Sequence, residues 1–129
     1  MSIRRKLSRA FSALEKQGFV TRKKFMCCQN CAGSALADCV SEEIRHGRMD
    51  RATIKGVVFW HKQDDEGLRE DGRLYLAHGP LETVEFGTIG IDPVAIGDMV
   101  VAALQAEGLI VTWEDRNPHK RILVEEVSP

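Results

Sequence analysis

Thr53-Ile54-Lys55-Gly56-Val57-Val58-Phe59-Trp60-His61 is the stretch on which the fold class turns. β-Branched and aromatic residues dominate it, and such side chains fit a pleated, buried sheet surface. Thr53–His61 is therefore expected as the central strand. Downstream, the polar run Lys62–Gly72 reads as a turn region closing on Asp71-Gly72, and Arg73–His78 as a second strand. The two strands are close enough in sequence to pair as a long-looped hairpin. Pro80–Gly90 looks irregular. Asp92-Pro93 then supplies an N-cap with proline at the first helical position, and the helix runs to Gly108 on an apolar face of Ile96, Val100 and Leu104. Leu109–Glu114 and Arg121–Glu125 read as the last strands, separated by the turn Asn117-Pro118.

Upstream, Leu36, Val40 and Ile44 repeat every four residues and predict a helix over Ser34–Gly47. Phe19–Met26 reads as an extended edge segment. The chain opens with an amphipathic helix: Ser2 is the N-cap, Ile3, Leu7, Ala10, Phe11 and Leu14 recur at spacings of three and four, and Gly18 supplies the stop. The expected fold is α+β, a two-layer sandwich of ferredoxin-like order (β-α-β-β-α-β-β) with an additional N-terminal helix. In that architecture the helices pack on one face of an antiparallel sheet. No internal repeat or linker divides residues 1–129, so a single domain is expected.

With 129 residues, 43 % hydrophobic and 29 % charged, the chain has the composition of a globular domain. Its longest apolar run, Met99–Leu104, falls far short of the roughly 20 residues that span a bilayer. Four cysteines with no apolar leader point to a reducing compartment, and a cytoplasmic location is the expectation. The net charge of −1 hides an asymmetry: residues 1–24 carry +7 and the remainder −8. Such a basic segment contacts nucleic acid or docks on the protein's own acidic body. Docking is the simpler reading, because proteins that grip nucleic acid are usually basic overall.

The most pointed chemistry lies in Cys27-Cys28-Gln29-Asn30-Cys31. Cys28 and Cys31 have the spacing that binds one metal ion, or closes a disulfide at a helix N-terminus, where the dipole favours thiolate. A structural zinc site needs about four ligands. In an extended segment Cys27 points away from Cys28. Cys39, about 12 Å along the helix from Cys31, is too distant and reads as a small core residue. Cys27, Cys28, Cys31, His61 and Asp64 are thus the candidate metal ligands, with zinc the metal they would take. Structural packing and redox chemistry are the competing readings of the same thiols.

His61 ends the central strand, and a His held by a carboxylate can act as a base. No nucleophile completes a triad, so a His hydrogen-bonded to its own loop is the simpler expectation. His78 lies roughly 15 Å or more from it along such a hairpin. Asp64, Asp65, Glu66, Glu70 and Asp71 lack the alternation of a calcium loop. Leu14–Arg22 imitates the end of a recognition helix without room for the preceding helices. Gly87-Thr88-Ile89-Gly90 lacks the context of a phosphate loop.

Phe25-Met26-Cys27-Cys28-Gln29-Asn30-Cys31 and Gly56-Val57-Val58-Phe59-Trp60-His61-Lys62-Gln63-Asp64 together resemble a family of small uncharacterised bacterial proteins, a domain of unknown function. Leu74-Tyr75-Leu76 with Gly79, Ile96-Gly97, Gly108–Trp113 and Arg121-Ile122 are similar to its later signatures. The family places Gly directly after the third Cys, whereas here Ala32 precedes Gly33. The resemblance implies a bacterial source and a shared fold, and it implies no activity or cofactor. With no complete catalytic set, the leading expectation is a non-enzymatic binding or regulatory protein with a protein or small-molecule ligand. A metal- or thiol-dependent protein is the alternative, and contact with nucleic acid through residues 4–24 a weaker one.

Overall fold

In the computed structural model the described residues are 2–25 and 29–126, with the side chains of residues 29–33 outside the description. Helix α1 (Ile3–Lys16) is capped by the Ser2 hydroxyl, which accepts from the Arg5 amide, and leads into strand β1 (Phe19–Arg22). Helix α2 (Gln29–Arg45) crosses to strand β2 (Gly56–Phe59). Then come helix α3 (Lys62–Asp71), strand β3 (Arg73–Gly79) and a small hairpin of β4 (Leu81–Thr83) and β5 (Gly87–Ile89). Helix α4 (Pro93–Ala106), capped by Asp92 with Pro93 in its first turn, precedes strands β6 (Ile110–Thr112) and β7 (Ile122–Glu125).

Five strands form one sheet in the order β1-β2-β3-β7-β6. β1 and β2 are parallel, and every other pair is antiparallel. The sheet is therefore mixed, where an antiparallel one was expected. The reason is the α2 crossover, which returns the chain to the same end of the sheet before β2 begins. The expected pairing of Thr53–His61 with Arg73–His78 is present as Val57↔Gly79, Val58↔His78 and Phe59↔Ala77, but it is β3, not β2, that stands at the centre of the sheet, and β2 is confined to Gly56–Phe59.

Two segments differ from expectation. Lys62–Gly72 is not a turn region: it is α3, closed by Gly72 at φ +68, a conformation glycine adopts without steric cost. Pro80–Gly90 is not irregular, since it holds the β4–β5 hairpin. The observed order is accordingly β-α-β-α-β-β-β-α-β-β after the first helix.

Alternation along the strands sorts the core into two layers. On one face Val58, Trp60, Leu74, Leu76, Ile122 and Val124 pack against α1, α4 and Leu68 of α3. On the other, Val20, Val57, Phe59 and Ala77 pack against Leu36 and Val40 of α2 and against Leu81 and Ile89 of the hairpin. Helices thus lie on both faces of the sheet, because successive β2 residues are apolar and each face must be covered. Gly97 shows how closely α4 approaches the loop after β6: a Cβ there would sit 2.1 Å from the Trp113 ring. That ring is fixed by Nε1–H donation to the Asn117 carbonyl at 2.8 Å. No helix among the described residues is long and apolar enough to cross a membrane.

Candidate functional site

His61 follows β2 and serves as the N-cap of α3. It is 4 % exposed, and its Nδ1 accepts from the Asp64 amide at 3.4 Å. The Asp64 carboxylate in turn accepts from the His61 backbone N–H at 3.4 Å and lies 3.1 Å from Nε2. Arg121, at the start of β7, closes the group by donating to the same carboxylate and, at 2.8 Å, to the Tyr75 carbonyl. The ring and the carboxylate thus hold each other at the first turn of α3, a capping box in which His61 and Asp64 exchange backbone hydrogen bonds. A His hydrogen-bonded to its own loop was the expectation; the residues it bonds are instead the first turn of α3.

The neighbouring Asp65 was passed over as solvated loop charge, yet it is 2 % exposed. Its carboxylate accepts a bidentate pair from Arg4 at 2.9 and 3.1 Å and the Trp60 indole N–H at 3.1 Å, with Lys24 Nζ at 3.5 Å. The Arg4 hydrogen bond holds its carboxyl below the usual carboxylate range, against the opposing effect of burial. Part of the basic N-terminal segment therefore does dock on the acidic body: Arg4 and Lys24 on Asp65, and Arg9 on Glu107 at 2.9 Å. A charge count by segment showed that asymmetry, but only helical periodicity over residues 62–71 would have shown Asp65 facing inward with Leu68.

Cys27 and Cys28 lie outside the described residues, as does the Cys31 side chain. The structure brings His61 and Asp64 together. Among the described residues no group of three or more His, Cys, Asp or Glu side chains is placed to hold a metal ion. Phe25, two residues before Cys27 in sequence, donates its backbone N–H to the Trp60 carbonyl at 2.9 Å, one residue from His61. Cys39 is exposed and not part of the core, because it sits one residue off the buried Leu36–Val40 stripe. His78 packs edge-on against Trp113 and donates Nε2–H to the Lys120 carbonyl at 2.8 Å; burial pushes its pKa down.

A concave feature beyond these groups went unseen in the sequence. α2 and the β4–β5 hairpin stand over the sheet as two walls of a cleft of about 630 Å³. Val57, Phe59 and Ala77 form its floor. Leu36, Ala37 and Ser41 line one wall, and Leu81, Glu82 and Val84 the other. Arg45 on α2 and Glu85 on the hairpin join the walls through an ion pair of 2.9 Å. Pattern alone hid this site, since its hairpin wall came from the segment that read as irregular.

A mixed α+β domain with helices on both sheet faces and an apolar-floored cleft on one of them is the class of protein these features define. The chain belongs to the family described as a domain of unknown function, DUF6891, whose model matches residues 4–128. Neither a curated protein nor a solved structure is matched. No function is established by that membership.

Proposed function

We propose that this is a non-enzymatic binding protein that takes a small ligand in the cleft between α2 and the β4–β5 hairpin. The observation that carries the reading is the cleft itself. Its volume lies within the range of small-molecule sites, and its floor is apolar with a few polar groups on the walls, as in such sites generally. The same reading places the protein in a bacterial cytoplasm, on its thiol content and the family signatures, and relates its architecture to ferredoxin-like order with α3 and the hairpin as insertions.

The test is a fragment set titrated into ¹⁵N-labelled protein. Shifts should concentrate on the amides of Ala37, Ser41 and Ala77 and vanish in Ala37→Trp, whose indole fills the cleft. Unchanged α1 and α4 resonances would show that the variant is folded. Fragments that leave those amides unmoved, or bind the variant equally, would rule the cleft out as the ligand site.

A second reading starts from the Phe25–Trp60 hydrogen bond, which sets Phe25 beside the residue that precedes His61. In it Cys27, Cys28 and Cys31 hold zinc, with His61 and Asp64 completing the set. His61 and Asp64 would first have to give up their mutual bonds. Zinc content that is unchanged in His61→Asn removes His61 from any such set.

A further inference from the structure

We infer that the ligand of the cleft is an organic cation: a primary ammonium group on an apolar body. The inference rests on the ligand-binding reading of the cleft and assigns the chemistry of its occupant. Four charged side chains line the cleft: Asp38 and Arg45 on α2, Glu82 and Glu85 on the hairpin. Arg45 and Glu85 neutralise each other at 2.9 Å. The remaining two are carboxylates, one on each wall. Among the described residues Glu82 accepts only from the Thr88 hydroxyl, at 2.8 and 3.0 Å, a neutral donor that leaves its charge uncompensated. Asp38 has no basic partner among the described residues, and residues 26–33 contain no Lys or Arg.

Apolar contact and negative charge thus meet in one place. The floor of Val57, Phe59 and Ala77 suits a hydrocarbon body, and Val84 stands fully exposed at the rim, a branched apolar side chain that an occupant would cover. An anionic ligand would face two like charges with the one cation already paired. A neutral ligand would leave both carboxylates without a counter-charge. An ammonium ion donates up to three hydrogen bonds, and charge-assisted bonds of that kind are about twice as strong as neutral ones.

Three probes of matched length separate the possibilities: hexylammonium, 1-hexanol and hexanoate, each titrated into the ¹⁵N-labelled full chain. Hexylammonium should move the Ala37, Ser41 and Ala77 amides with a Kd about tenfold or more below that of hexanol, one charge-assisted pair being sufficient for that ratio. Hexanoate should bind more weakly than either. In the Asp38→Asn/Glu82→Gln double variant, altered only at exposed positions, hexylammonium should fall to the hexanol value. Equal affinities for hexylammonium and hexanol, or an ammonium preference that survives the double substitution, would overturn the cation assignment and leave the cleft as a ligand site. Probes that move none of the three amides would overturn both readings together.

Discussion

Asp65 is buried and His78 half-buried, and both have pKa values below the ordinary ones, Asp65 through attraction and His78 through loss of solvation. Asp65 is a carboxylate held by Arg4 and the Trp60 indole, so its folded pKa lies below its ordinary value. Its contribution is present above the unfolded pKa and is lost as pH falls through the folded value. His78 is a base whose pKa burial lowers beneath 6.5, with the Lys120 carbonyl only partly offsetting that effect. For it the unfolded state binds the proton more readily, so stability declines as soon as pH drops through about 6.5. Two separate acid losses are expected, one beginning near pH 6.5 and one below about pH 4. Urea denaturation as a function of pH checks this: His78→Gln should flatten the upper step and Asp65→Asn the lower. Asp65→Asn should in addition cost about 1 kcal/mol at pH 7, because a neutral amide replaces the charged acceptor of Arg4 and the Trp60 indole while Arg4 itself stays partly in solvent. A single loss, insensitive to His78, would contradict the assignment.

At the level of elements, α3 explains why some of the fold was legible and some was not. α1 announces itself through five apolar residues at helical spacing and a serine cap, and α4 through Asp92-Pro93; both stand where the pattern put them. α3 has one buried apolar residue, Leu68, an interior glycine at Gly67, and a histidine where Ser, Thr, Asp or Asn usually caps. Its helicity comes from contacts distant in sequence, Asp65 to Arg4 and Asp64 to Arg121, which no local pattern displays. The candidate site was half legible for the same reason. His61 and Asp64 were marked by their place at a strand end, whereas the cleft depends on a hairpin and a helix that meet only in space. If His61 acts as the cap, His61→Ala should cost about 1 kcal/mol and His61→Asn should recover most of it, since asparagine is among the best N-caps. Thermal unfolding of the two variants, read beside their zinc content, separates capping from metal binding. A metal ligand would lose zinc in both variants, whatever their stability.

Over the whole molecule, the two layers on the sheet are not equally secured. α1 and α4 interlock with each other and with four strands through residues of negligible exposure, among them Leu7, Phe11, Leu14, Ile96, Val100 and Leu104. The described part of α2 is held by Leu36 and Val40, with Ala37 and Ile44 only partly buried, and by the Arg45–Glu85 pair at the surface. A fully buried aliphatic side chain contributes roughly 1.5–3 kcal/mol, and an exposed ion pair about 0–1 kcal/mol. Opening α2 from the sheet should therefore require less free energy than opening α4. Local stability need not equal global stability, and elements that admit ligands are drawn from the weaker end. In hydrogen exchange, amides from Val40 to Ile44 should exchange at least about tenfold faster than those from Val100 to Leu104, a difference of about 1.4 kcal/mol. A ligand that bridges α2 and the hairpin binds only the closed state, so by mass action a concentration of about 10 Kd should slow α2 exchange roughly tenfold. Exchange in α4 that proceeds through local fraying would not change. Equal protection of α2 and α4 in the free protein would mean that both layers open as one cooperative unit, and the cleft would then be a rigid slot that a ligand enters without any movement of its walls.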